Sequence, residues 1–278
     1  MAMRSKSEAC CILWMLVALC CFAAARTASA EGRIDDHLQL NGGFGSVSED
    51  GQILSLLLNH SSGSGFKSKD TYMYARANLQ IKLAPNNSAG TVTAFYFMSV
   101  GAWDIHDEID MEFLGNSTGE PYTLHTNIYV NGTGRKVEQF RLWFDPTADF
   151  HTYSIVWTYR HILMLVDGTP IREFRNHANR DVLYPSKQPM RLFGSLWNTD
   201  DWATQGGRVK TDWSAAPFIA WFRNYTATTS SSDGYGYYDQ EMDGAARKKM
   251  KEARAKYMIY TYCADTTRSP TPPECSMP

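Results

Sequence analysis

The chain has 278 residues, of which 44% are hydrophobic, 13% aromatic and 20% charged, with a formal net charge of −2. That apolar content excludes disorder as the main state. The near-neutral balance supplies no basic field for nucleic acid or for an anionic membrane surface. Eight Trp, 15 Tyr and 13 Phe fit a large neutral ligand and equally an aromatic β-core.

Residues 1–30 read as a secretory signal peptide. Arg4 and Lys6 form its basic start, residues 10–25 its apolar stretch, and Ala28-Ser29-Ala30 its small-x-small cleavage pattern. The apolar stretch is short for a bilayer span. A secreted mature chain, off the membrane after cleavage, is expected to begin at Glu31. Cleavage removes Cys10, Cys11, Cys20 and Cys21 and leaves Cys263 and Cys275, which in an oxidising compartment read as one disulfide. Asn59, Asn86, Asn116, Asn131 and Asn224 stand in N-x-S/T sequons.

Most of the chain beyond residue 30 reads as strand. Residues 91–100 (TVTAFYFMSV) are β-branched and aromatic, and residues 106–114 and 122–130 alternate polar with apolar. Asn131-Gly132 signals a turn. Residues 151–159 and 161–166 are strand-like, Asp167-Gly168 predicts a hairpin into residues 171–174, and residues 190–197 form another candidate. Many short strands without alternating helices predict an all-β sandwich or jelly roll, here assigned to residues 31–225. Residues 226–238, rich in Ser, Thr, Gly and Tyr, read as a loop. Residues 245–260 read as a helix whose apolar stripe is Ala246, Met250, Ala253, Tyr257 and Tyr260, with Arg247, Lys248, Lys249, Lys251 and Arg254 on a solvated face. Loop, helix, disulfide and Pro-rich tail make a C-terminal extension, residues 226–278.

The most informative segment is HDEIDMEFLG, residues 106–115. Glu108, Asp110 and Glu112 sit at i, i+2 and i+4, on one side of a strand, with Ile109, Met111 and Phe113 on the other. Three adjacent acids repel, and such a local violation marks function. A calcium site would require loop acids and carbonyls that are not evident here, so no metal or cofactor is expected. Paired carboxylates suit glycoside hydrolysis, one attacking or stabilising the anomeric carbon and the other protonating the leaving oxygen. Crowding separates their pKa values, and Asp110 between them can hydrogen-bond a glutamate.

HDEIDMEFLGN closely resembles the catalytic strand of the plant xyloglucan endotransglucosylase/hydrolases of glycoside hydrolase family 16. The resemblance extends to SGSGF (62–66), SAGTVTAFY (88–96), LWFDP (142–146), HTYSIVW (151–157), PIR (170–172), SLWN (195–198), DWAT (201–204), ARAKYMIY (253–260) and the Cys263 and Cys275 pair. It implies a curved, concanavalin-like jelly roll with an open cleft, Glu108 as nucleophile, Glu112 as acid/base, Asp110 between them, and a glycan on Asn116. It also implies a xyloglucan or related β-glucan substrate and residence in the cell wall, or apoplast. Strand geometry alone places the two glutamate Cα atoms about 13 Å apart, whereas a retaining pair needs carboxyls about 5–5.5 Å apart, so the side chains must lean together.

An extended glucan needs aromatic platforms and polar donors. Trp197, Trp202 and Tyr96 are candidate platforms, Tyr96 being as readily a core residue. The resemblance assigns sugar contacts to His125, Thr126 and Asn127, where His125 replaces the family's Gln. It assigns others to Asp201, Trp202 and Gly206, to Arg135 and Glu138 in a rewritten run after the glycine hairpin, and to Arg268 in the tail, facing the acceptor. Gln205 stands where the family commonly has Arg, and the first of the family's C-terminal disulfides is absent. Three functions compete: a xyloglucan transglycosylase, a hydrolase of xyloglucan or mixed-linkage glucan, and a non-catalytic glucan-binding protein. Retention of all three acids favours an enzyme, and the resemblance implies transfer, because the connection at residues 131–134 is short as in the family's transferring members.

Overall fold

The computed structural model describes residues 32–229 and 241–277. The signal-peptide segment, residues 1–30, and most of the expected loop at residues 226–238 lie outside the described residues. A helical turn α1 (Ile34–His37) is followed by β1 (Leu38–Leu40), β2 (Phe44–Val47), β3 (Ile53–Leu58), β4 (Ser64–Ser68), β5 (Ala75–Lys82) and β6 (Thr91–Ser99). Next come β7 (Glu108–Leu114), β8 (Thr123–Tyr129), β9 (Glu138–Arg141), β10 (His151–Trp157), β11 (His161–Val166), β12 (Thr169–Arg175), β13 (Met190–Asn198) and β14 (Phe218–Thr229). Helix α2 (Gly244–Tyr257) and β15 (Met258–Thr261) come last. The chain is thus the expected β-sandwich, with two antiparallel sheets ordered β1-β4-β13-β6-β7-β8-β9-β15 and β12-β11-β10-β5-β14-β3-β2.

Alternation builds the layers. Along β5 every second residue is buried, the signature of a strand with one face on a core. On β7 the core face is Ile109, Met111 and Phe113, all fully buried. Phe113 meets Tyr153 of the opposite sheet edge-to-face at 4.6 Å, and Phe66 meets Phe222 likewise at 5.0 Å. These aromatic pairs couple the sheets beyond their buried area. The Asp167-Gly168 hairpin forms as expected, both residues having positive φ (47° and 71°), the two-residue turn whose twist suits flanking strands.

The C-terminal region differs from expectation in three ways. First, α2 ends at Tyr257, and Met258–Thr261 turns into an edge strand on β9. Tyr260 therefore leaves the helical stripe, and its hydroxyl donates to Asp265 at 2.7 Å. Helical spacing could not register that β9 offered an unpaired edge, which a Met-Ile-Tyr-Thr run fits well. Second, residues 226–229 are not loop; they extend β14 along β5. Third, the basic face of α2 is not wholly solvated. Lys248, Lys249 and Lys251 are exposed, but Arg247 and Arg254 reach acids of the sandwich. Asp243 caps the helix, accepting from the Ala246 amide at 2.7 Å. Cys263 and Cys275 are joined in a disulfide.

Candidate active site

Strand β7 sits mid-sheet between β6 and β8, so both its flanks are hydrogen-bonded and its outward side chains are fixed in register. Glu108 lies between Met98 and Tyr129, Asp110 between Tyr96 and Asn127, and Glu112 between Ala94 and His125. These outward residues floor a cleft of about 710 Å³. Trp103, Arg135, Val137, Ser195, Trp197, Trp202 and Arg268 complete its lining.

The three acids lie in a poorly solvated row. Burial raises the pKa of Glu108, and hydrogen bonds from Asp110 and contact with His106 oppose that rise. Asp110, fully enclosed and flanked by two glutamates, is held well above the usual carboxylate range. Asp110 therefore holds its proton more tightly than Glu108 does, and its hydrogen bond to Glu108 favours the ionised form of Glu108. Glu112 is raised to about 7 by burial and by the charge on Glu108. Two glutamates in nearly identical sequence surroundings thus differ in how tightly they hold a proton.

Neighbours set the orientations. His106 Nδ1 donates to the Trp103 carbonyl at 2.5 Å, and its Nε2 lies 3.0 Å from Glu108 Oε2. Its ring is nearly parallel to Trp103, centroids 4.3 Å apart. On the other side Gln139 Nε2 donates to His125 Nδ1 at 3.0 Å. His125 Nε2 is then the protonated nitrogen, 3.8 Å from Glu112 Oε2. Burial, with Arg172 nearby, depresses the His125 pKa to about 4, so the ring is neutral and presents an N–H where the resembling family has a Gln amide. Trp202 packs on His125 at 5.4 Å.

Of the expected contact residues, His125, Asn127, Arg135, Trp197, Trp202 and Arg268 come to the cleft beside the acids, and so does Tyr96. Four do not. Thr126 is fully buried, because alternation turns it away from His125 and Asn127; its hydroxyl accepts from Arg172 at 2.7 Å. Glu138 is also buried and takes a bidentate bond from Arg254, at 2.6 and 2.8 Å. A carboxylate on a core-facing position needs a cation, and α2 supplies one. Asp201 and Gly206 are exposed in a loop outside the cleft lining. That loop is pinned by Thr204, whose hydroxyl donates to the Gly115 carbonyl at 2.8 Å and accepts from the Gly90 amide at 2.7 Å. Asn116 is mostly covered, and its Nδ2 donates to the Pro121 carbonyl at 3.2 Å.

Sequence reasoning missed Trp103, His106, Tyr129 and Arg172. Arg172 is fully buried under the cleft, bonded to Thr126 and the Lys136 carbonyl and 3.7 Å from Glu138. Its signal was a charge next to the apolar Pro170-Ile171 pair, in the buried stretch of β12. Among the described residues no group of three or more His, Cys, Asp or Glu is placed to hold a metal ion, and no helix is long and apolar enough to cross a membrane.

A two-sheet sandwich with a crowded carboxylate row in an open cleft is the architecture of a carbohydrate-active protein. The family model described as "Glycosyl hydrolases family 16" matches residues 35–215, and "Xyloglucan endo-transglycosylase (XET) C-terminus" matches residues 227–275. The chain is 51% identical to "Xyloglucan endotransglucosylase/hydrolase protein 24" of Arabidopsis thaliana over 257 residues, covering 91% of this chain and 94% of the relative. It is also 51% identical to "Xyloglucan endotransglucosylase protein 1" of Diospyros kaki, over 81% of this chain and 80% of the relative. Among solved structures, a Bacillus licheniformis beta-glucanase superposes with a TM-score of 0.57 at 24% identity, covering 72% of this chain and 95% of that one; this is a likeness of fold. The chain belongs to the xyloglucan endotransglucosylase/hydrolase family within glycosyl hydrolase family 16.

Proposed function

We propose that the chain is a secreted, cell-wall xyloglucan endotransglucosylase working by double displacement. The observation that carries this is the divided protonation of the β7 acids: an ionised Glu108 held by Asp110, beside a Glu112 raised to about 7. In the first step Glu108 forms a bond to the anomeric carbon of a β-1,4-glucan chain. Glu112 gives its proton to the departing glycosidic oxygen, and the reducing-end fragment leaves. With Glu108 now an ester, its charge on Glu112 disappears and Glu112 becomes the stronger acid, matched to its second role. In the second step Glu112 takes the proton of an incoming hydroxyl, that oxygen bonds the anomeric carbon, and Glu108 is released.

Water or a sugar hydroxyl can attack the ester. A sugar wins only if it is bound in near-attack geometry, where effective molarity outweighs dilution. The tail supports that reading: Arg268 lines the cleft and donates to the Arg135 carbonyl. The signal segment and the disulfide fit an oxidising, extracellular location. A glycan on Asn116 belongs to the same reading. The test is incubation with xyloglucan and a labelled xyloglucan oligosaccharide. Label entering polymer faster than new reducing ends appear supports transfer. Reducing ends matching or exceeding label incorporation would establish a hydrolase instead.

A further inference from the structure

Trp103 is 71% exposed, more than any other large hydrophobic residue described, although Trp is normally mostly buried. It is nonetheless held firmly. One ring face lies against His106. Its carbonyl accepts from His106 Nδ1, and Gln188 Nε2 donates to the neighbouring Ile105 carbonyl at 2.7 Å. The Gly132 amide donates to the His106 carbonyl at 2.8 Å, and a Cβ at Gly132 would come within 2.1 Å of the Asp104 carbonyl oxygen. Trp103 is also one of the residues that line the cleft.

Strand register places this surface. The Ser99 amide donates to the Asp107 carbonyl, so the loop carrying Trp103 leaves the sheet at the Glu108 end of β7. Trp197 pairs with Val92, and Val92 with Leu114, two residues beyond Glu112. Trp202 packs on His125 opposite Glu112. Aromatic surfaces therefore flank both ends of the acid row.

Resting on the function proposed above, we propose that Trp103 is a sugar-stacking platform on the donor side of the cleft, holding the apolar face of a pyranose ring beside the unit bonded to Glu108. The donor glycosyl is the part that stays on Glu108, while the leaving oxygen and later the acceptor meet Glu112. A preordered indole offers large apolar area at little cost in side-chain entropy, and its ring is already fixed in one plane by His106.

Initial rates of full-length Trp103→Ala and Trp103→Phe test this, with polymeric xyloglucan donor and labelled oligosaccharide acceptor each varied against saturating partner. Trp103→Ala is expected to raise the donor KM about tenfold and leave the acceptor KM in place, with Trp103→Phe recovering most of the loss. An unchanged donor KM, or a rise confined to the acceptor, overturns the proposal. So does a loss confined to kcat with a displaced pH profile, which would mean that Trp103 acts only through His106. Calorimetric titration with xyloglucan fragments long enough to cover the donor side as well as the acceptor side of the cleft separates this from the underlying reading. If Glu108→Gln binds them and Glu108→Gln/Trp103→Ala binds equally well, the platform is disproved while the function stands. If Glu108→Gln binds no β-glucan, the function falls and the platform with it.

Discussion

Glu108, Asp110 and Glu112 differ in proton affinity because their neighbours differ, and the proposed mechanism gives each a different part. Glu108→Gln removes the nucleophile and is expected to lower turnover by about 10⁴-fold or more. Asp110→Asn keeps a donor to Glu108 but loses the shared proton, and a smaller loss of about 10²-fold is expected. Measured transfer rates of the purified variants decide this; a Glu108→Gln protein with near-normal turnover would refute the assignment. The pH profile should fall on its alkaline side near pH 7 as Glu112 loses its proton, and on its acid side as Glu108 gains one.

The same arrangement costs stability. Glu112 ionises at about 4.5 when unfolded and about 7 when folded. The folded state thus binds the proton more tightly, and its advantage is complete below about pH 4.5 and lost as pH rises to 7. The shift corresponds to roughly 3 kcal/mol. Glu112→Gln is therefore expected to melt higher than the parent at pH 8, with the gap closing toward pH 4.5, while turnover collapses. Equal melting temperatures across that range would show that Glu112 is not desolvated.

At the scale of elements, α2 is fastened to the sandwich through charge. Arg254 reaches from α2 to Glu138 of β9, Thr261 of β15 donates to the same carboxylate at 3.2 Å, and Arg172 of β12 lies 3.7 Å from it. These partners hold Glu138 below the usual carboxylate range despite burial. Arg254→Ala strands a buried carboxylate, and a loss of about 3 kcal/mol is expected, the low end for a broken buried pair because Arg172 remains. Urea unfolding at pH 7 measures it. Since the folded pKa of Glu138 is depressed, the deficit should shrink as pH falls below the unfolded value, when the carboxylate protonates. A deficit under about 0.5 kcal/mol would mean a pair no stronger than a surface one.

For the whole molecule, the tail closes a path from the C-terminus to the cleft. The disulfide ties Cys263 to Cys275, the Tyr262 hydroxyl donates to Glu274 at 3.2 Å, and Arg268 sits over the Tyr262 ring, 5.7 Å from its centroid. Arg268→Ala is expected to lower the ratio of transfer to hydrolysis several-fold while donor cleavage continues. Labelled-acceptor incorporation and reducing-end release, read in one reaction, give that ratio; an unchanged ratio would remove Arg268 from the acceptor side.

Local chemistry alone determined much of this protein. Alternation on β7 put three acids on one face and Ile109, Met111 and Phe113 on the other, because the side-chain period of a strand is two. Asp167-Gly168 specified its hairpin, and the acids named a glycan-processing site. The tertiary structure decided what depends on distant neighbours. Thr126 turned away from the cleft and Glu138 became an anchor, because burial and the reach of Arg172 and Arg254 are not written in their own segments. Tyr260 became strand because β9 had an open edge. Trp103, spaced irregularly before β7, joined the cleft, and His106 met Glu108, only when that segment folded against the sheet. Which acid keeps its proton was likewise a property of the assembled site, since desolvation and charge act through space and not along the chain.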